Sequence, residues 1–161
     1  MSFLPRAVLI LSLVAVTPAS AQNVAFGGIK ADTSAPVELA ADSLQVNQSD
    51  GTAVFNGNVV IGQGEMRLSA DKVTVIYADG DQQKIDRLQA TGNVTLVNGP
   101  DAAEAAEADY DVASGNIALS GDVVLTQGQN VLRGDRMTVN LSEGSAQVDG
   151  RVRSVLQPGG N

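Results

Sequence analysis

Phe55–Gly64 reads FNGNVVIGQG, and two near-copies follow it: ATGNVTLVNG from Ala90 and LSGDVVLTQG from Leu119. Each places a glycine inside a run that otherwise alternates apolar and polar residues as a strand does. A mid-strand glycine weakens pairing unless the backbone bends there or another segment passes close by. The glycines Gly57, Gly92 and Gly121, with a fainter fourth at Gly150 in VDGRVRSVL, are spaced by 35, 29 and 29 residues.

A second motif lies between them: AADSLQV from Ala40, SADKVTV from Ser69 and RGDRMTV from Arg133. Each sets a small residue before an aspartate, with apolar residues two and four positions later. Asp71 follows Gly57 by 14 residues, Asp135 follows Gly121 by 14, and Ala106 takes the same place after Gly92. Counts from Asp42, Asp71, Ala106 and Asp135 to the next glycine are 15, 21, 15 and 15. The period is therefore 29 residues with one six-residue insertion, placed in the polar run ADGDQQK from Ala78. A fixed period of this size marks stacked supersecondary units.

The units read as strands. Phe55, Gly57, Val59 and Ile61 alternate with polar or small residues, as do Ile117, Leu119, Gly121, Val123 and Leu125. DAAEAAEADY, from Asp101, has helical propensity, but its place in the repeat makes it a strand. At each aspartate the apolar parity changes: Met66, Leu68 and Ala70 hand over to Val73, Val75 and Tyr77, and Leu132 and Gly134 to Met137, Val139 and Leu141. Keeping the apolar side inward then needs an extra residue absorbed at the small-Asp step, as in a bulge. The expected architecture is an all-β, flattened roll of antiparallel strands with corners at Asp42, Gly57, Asp71, Gly92, Gly121 and Asp135 and no helices of consequence.

Four segments are expected. Residues 1–21 read as a cleavable signal peptide: Arg6, the apolar run Ala7–Val16 and small residues at Ala19 and Ala21. Residues 22–35 read as a flexible N-terminal segment, 36–158 as one β domain, and 159–161 as a short tail. Without Arg6 the chain has nine basic and eighteen acidic residues, a net charge of −9. That balance argues against nucleic acid, whose affinity rests on cations neutralising phosphates.

Histidine and cysteine are both absent, which removes the commonest general base and metal ligand and the thiol nucleophile. The repeating aspartates suit corners better than catalysis. No cofactor loop or metal-ligand spacing appears, and the acid-rich Asp101–Asp111 stretch lacks the spacing of a calcium loop. The chain thus reads as a non-enzyme with no cofactor and no metal.

The inferred interior is aliphatic: Val37, Leu39, Leu44, Val46, Phe55, Val59, Ile61, Met66, Leu68, Val73, Val75, Val94, Leu96, Tyr110, Leu119, Val123, Leu125, Leu132, Met137, Val139 and Leu141. Two readings stay open on residues alone, a plain dry core or a slot for an alkyl chain. The outermost strands, around Val37 and Leu39 and around Val152, Val155 and Leu156, have little edge protection beyond Arg151 and Arg153, which suits strand addition by a partner or a second copy.

FNGNVVIGQGEMRLSADKVTV, LSGDVVLTQGQNVLRGDRMTV and PVELAADSLQV resemble the lipopolysaccharide-transport bridge proteins of Gram-negative bacteria, the LptA or organic-solvent-tolerance A family. The resemblance covers Pro36 to Pro158. It implies a twisted, semi-open β-jellyroll in the periplasm whose apolar groove shelters acyl chains of lipopolysaccharide. It also implies partners at both ends: an inner-membrane export complex with a membrane-anchored subunit of the same fold, the N-terminal domain of an outer-membrane translocon, and further copies stacked end to end. Two departures stand out, Ala106 in place of a corner aspartate and an acidic balance in a carrier of an anionic glycolipid. Phosphate contacts would fall to Arg67, Lys72, Lys84, Arg87, Arg133 or Arg136.

Overall fold

The computed structural model describes residues 22–25 and 32–158. The expected signal peptide and the last three residues lie outside these. Among the described residues eleven strands run in chain order: β1 Gln22–Ala25, β2 Glu38–Ala40, β3 Ser43–Asn47, β4 Thr52–Gln63, β5 Met66–Ala78, β6 Asp81–Asn98, β7 Asp101–Asp111, β8 Asn116–Gln127, β9 Asn130–Asn140, β10 Ser145–Asp149 and β11 Arg153–Val155. All pairings are antiparallel, in the order β1-β10-β9-β8-β7-β6-β5-β4-β2, with β3 also on β4 and β11 also on β9.

Each of the long strands β4–β9 passes through a bend and serves two layers. Layer A holds β3, the first halves of β4, β6 and β8, the second halves of β5, β7 and β9, and then β10 and β1. Layer B holds β2, the complementary halves and β11. No helix covers the sheet among the described residues, so the apolar face of one layer is buried against that of the other. The hydroxyl of Tyr110, in layer A, reaches Gln63, in layer B, although two strands separate β7 from β4 within the sheet. The fold is an all-β roll whose sheet does not close into a barrel among the described residues.

The bends form one column, and their detail corrects the sequence expectation. Parity does change at the aspartate, from buried Ala70 to buried Val73. The extra residue, however, lies on the glycine strand. Gly57 and Asn58 together oppose Asp71, Gly92 and Asn93 oppose Ala106, and Gly121 and Asp122 oppose Asp135. Both residues of each bulge have positive φ: 79° and 45° at Gly57–Asn58, 80° and 46° at Gly92–Asn93. Glycine adopts that region freely, and Asn and Asp tolerate it better than other side chains, whereas the aspartate strand keeps ordinary extended geometry.

β7 covers the stretch with helical propensity, Asp101–Asp111. Its Ala103, Ala108 and Tyr110 are buried while Glu104 and Glu107 face solvent, so pairing with β6 and β8 overrides intrinsic preference. The six-residue insertion lengthens the β5–β6 hairpin around Asp79–Gly80. Within the segment 22–35 the structure describes two stretches, residues 22–25 and 32–35. Gln22–Ala25 pairs with β10, and the turn at Asp32–Ala35 is tied to the roll through Gln63.

Candidate functional site

Most of the expected lining forms one continuous apolar face. Val59, Ile61, Met66, Leu68, Val73, Val75, Val94, Leu96, Tyr110, Leu119, Val123, Leu125, Leu132, Met137, Val139 and Leu141 are all buried, with Val37, Leu39 and Phe55 packed partly buried against them. The side chains fill the space between the layers: Val59, Leu96 and Met137 have no exposed surface. As folded, the interior is a packed core.

Leu44 and Val46 depart from expectation, at 52% and 63% exposed. Their orientation is the expected one, since Leu44 pairs with Phe55 and Val46 with buried Ala53, and directly paired residues share a face. What they lack is cover, because β3 is the outermost strand of layer A. At the other end of the roll Val152 packs against the core, Ser154 shares the inner face with its partner Leu132, and Leu156, two residues on and just past β11, is 65% exposed. The apolar lining therefore runs from end to end, uncovered in layer A at the β3 end and in layer B at the β11 end.

The corner column explains the paired motifs. A Cβ added to Gly57 would sit 2.5 Å from a carboxylate oxygen of Asp42, and the same clash recurs for Gly92 with Asp71 and Gly150 with Asp135. The residue after each glycine then bonds the same acid: Asn58 Nδ2 donates to Asp42 and Asn93 Nδ2 to Asp71, both at 2.8 Å. On the fourth rung Arg151 donates to Asp135 through Nε and Nη2, the latter at 2.6 Å. This bond and the guanidinium charge hold the Asp135 carboxyl below its ordinary range and raise Arg151. Ala106 keeps the position against Gly121, and there the next residue is the acid Asp122. The acid has moved from one side of the contact to the other, and no amide–carboxylate bond forms.

Opposite the corners the layers meet along a mouth that sequence reasoning did not resolve. The sixth residue after each bulge glycine is an amide on three rungs, Gln63, Asn98 and Gln127, and Leu156 on the fourth. Gln63 and Asn98 are almost fully buried. Gln63 Oε1 accepts from Tyr110 Oη at 2.6 Å, and its Nε2 donates to the backbone carbonyls of Thr33 and Ala35 at 3.0 Å each. Gln127 Nε2 donates to Asp101 at 2.9 Å. Burial raises the Tyr110 pKa despite the Gln63 bond, so the phenol stays a neutral donor. The Asp32–Ala35 turn lies across this mouth, Asp32 beside Gly64 of the β4–β5 turn and Thr33 against Gly115 of the β7–β8 turn. The repeat position of the amides was the available signal.

Of the suggested phosphate-binding cations, Arg87 pairs with Asp109 at 3.4 Å and Arg67 donates to the carbonyls of Gly64 and Met66. Arg133 and Arg136 border the C-terminal end, with Arg151 and Arg153 nearby on β11 and its approach. Lys72 and Lys84 are exposed on separate strands.

Residues 38–145 match the family model described as LptA/(LptD N-terminal domain) LPS transport protein. An uncharacterised protein of Rhizobium meliloti (strain 1021) is 31% identical over 150 residues, covering 87% of this chain and 81% of that one. The lipopolysaccharide export system protein LptA of Escherichia coli (strain K12) is 30% identical over 157 residues, covering 92% of this chain and 85% of that one. Among solved structures, LptH from Pseudomonas aeruginosa, described as the LptA-homologous periplasmic component of the lipopolysaccharide transport device, superposes with a TM-score of 0.70 at 20% identity, over 80% of this chain and 99% of that one. That likeness makes the roll an LptA-type jellyroll. With its matched span, its paired corner motifs and its two-layer sheet, the chain belongs to the LptA/LptD N-terminal-domain family of lipopolysaccharide transport proteins, which are carriers and not enzymes.

Proposed function

We propose that this chain works in the periplasm, sheltering the acyl chains of lipopolysaccharide between its two layers and bridging inner- and outer-membrane transport complexes by stacking edge to edge. The observation that carries this reading is the apolar inner face that continues, rung by rung, to uncovered Leu44 and Val46 at one end and Leu156 at the other. Acyl chains enter by parting the layers at the mouth, where Gln63 and Tyr110 hold them. Burial of aliphatic surface drives the transfer, at about 25 cal/mol per Å².

The repeat supplies a register for stacking. Relative to Gly57 and Asp71, Phe55 pairs with Val73 and Ala53 with Val75. Substituting Gly150 for Gly57, and Asp42 of the next copy for Asp71, pairs Val148 with Leu44 and Ala146 with Val46 of that copy. In layer B the same rule sets Ser154 opposite Leu39 and Leu156 opposite Val37. All of these lie on the inner face, so the lining continues across the joint. Charge agrees: Arg151 and Arg153 at the C-terminal end meet Asp42 and Glu38 at the N-terminal end. The same edges serve the inner-membrane subunit and the translocon domain.

The packed interior supports a second reading, a solid β-roll that self-associates through its edges without carrying lipid. In vivo photocrosslinking separates the two. A photoreactive phenylalanine derivative at inward Phe55 captures lipopolysaccharide in the carrier, while the same group at the neighbouring outward Val54 does not. Capture at neither position, in exported and folded protein, overturns the carrier.

A further inference from the structure

The edge that a second copy needs is already occupied. β1 pairs antiparallel with β10, setting Gln22 opposite Val148, Asn23 opposite Gln147, Val24 opposite Ala146 and Ala25 opposite Ser145. The stacking register places Leu44, Gln45, Val46 and Asn47 of the next copy opposite those same four residues, also antiparallel. β1 is thus a stand-in for β3 of an incoming copy, station for station, with Val24 where Val46 would sit. We infer that β1 is a displaceable cap on the C-terminal edge, and that a second copy docks by strand exchange, replacing β1 with its own β3. This inference rests on the stacking reading above.

The cap is incomplete in a way that makes exchange feasible. β1 covers only the layer A half of the edge. In layer B, β11 pairs among the described residues with β9 alone, and Val155 and Leu156 remain 61% and 65% exposed. An incoming β2 can pair with β11 before β1 leaves, so layer B is the toehold and layer A the exchanged strand. The residues of β1, QNVA, bring no charge, whereas β2–β3 arrive with Glu38 and Asp42. They arrive beside an unfavourable arrangement, Arg153 directly opposite Arg133 on adjacent strands. Like charges at that spacing repel, and Glu38 opposite Val155 of the first copy would sit diagonal to Arg153. Being on the same chain, β1 has the higher effective concentration. The second copy offsets this with a longer strand, the layer B pairing and two acids facing the arginine group.

The physical consequence is a chain that stays single when dilute, with its layer A edge protected, and polymerises only against a partner that presents both strands. A bare β-strand, lacking the layer B half, gains little over β1.

Sedimentation velocity over a concentration series tests this with two chains, Gln22–Asn161 and Asp32–Asn161. Removing β1 should lower the concentration of half-association by the reciprocal of the uncapped fraction, about tenfold where β1 is docked in nine molecules of ten. Identical association by both chains overturns the cap while leaving stacking intact. Failure of both chains to associate at any concentration overturns the stacking reading and the cap with it. A second variant keeps β1 in place. The protein has no cysteine, so Asn23→Cys with Gln147→Cys puts the only two thiols opposite each other across β1 and β10. The oxidised chain should remain monomeric and the reduced chain should associate. Lack of disulfide formation, or equal association in both redox states, overturns the inference.

Discussion

The hydroxyl of Tyr110 donates to the side-chain carbonyl of Gln63 at 2.6 Å, joining the two layers at the mouth while the other end of the same amide holds the Asp32–Ala35 turn. One buried amide thus links three parts of the chain that the sheet ladder does not connect directly. A slot that opens along this side must break these bonds first.

Tyr110→Phe keeps the ring and removes only the donor, leaving Gln63 Oε1 buried without its partner. The expected loss is about 1–3 kcal/mol in urea unfolding. Amide hydrogen exchange over residues 32–35 should accelerate in the same variant. Unchanged exchange there would mean that the turn is held independently of the Tyr110 bond.

Gly92 and Gly80 both have positive φ, 80° and 76°, but only Gly92 stacks on another residue, Asp71. Gly80→Ala should cost about 1–2 kcal/mol, the left-handed penalty of an L side chain. Gly92→Ala carries that penalty and also displaces Asp71 from Asn93, adding about 1 kcal/mol more. Equal midpoints in chemical denaturation would remove the packing role assigned to the corner column.

Ala106 and Asp122 form the rung where the acid has changed sides. Ala106→Asp alone sets two carboxylates together and should destabilise. With Asp122→Asn it recreates the bond that joins Asn93 to Asp71. The double-mutant cycle should show a favourable coupling of about 1 kcal/mol, and additive effects would exclude a shared corner geometry.

Asp135 titrates below its ordinary value of 3.8 because Arg151 bonds its charged form. A carboxyl lowered in the folded state stabilises above the unfolded pKa, and that contribution is lost as pH falls from about 3.8 through the folded value. The gap in urea midpoint between the native chain and Asp135→Asn should therefore be present at neutral pH and shrink in this acid window. Arg151 is 82% exposed, so the gap should also shrink with salt. A gap independent of pH would assign the aspartate a purely steric role.

The displaceable-cap inference adds a fifth expectation, the concentration dependence of assembly with and without β1.

Much of this fold was legible because a repeat constrains each element several times over. The parity change at Asp71 and Asp135 located the bends, and the period identified Asp101–Asp111 as a strand against its helical propensity. Apolar parity alone points to the wrong partner of each corner for the bulge, because it marks where the inside face switches and not which strand carries the extra residue. The exposure of Leu44 and Val46 was equally out of reach: alternation reports the direction of a side chain, whereas cover depends on whether another strand lies beyond.

The sequence alone determined the 29-residue period, the strand character of each unit, the inward apolar face and the absence of thiol and imidazole chemistry, since all are carried by residue type and spacing. Tertiary structure decided which distant residues meet. It brought Gln63 to Tyr110 across the layers, turned Gly–Asn pairs into partners of remote aspartates, packed the interior shut, and set β1 on the edge of β10. These outcomes depend on how the folded sheet closes upon itself, a property of contacts between rungs that no local pattern encodes.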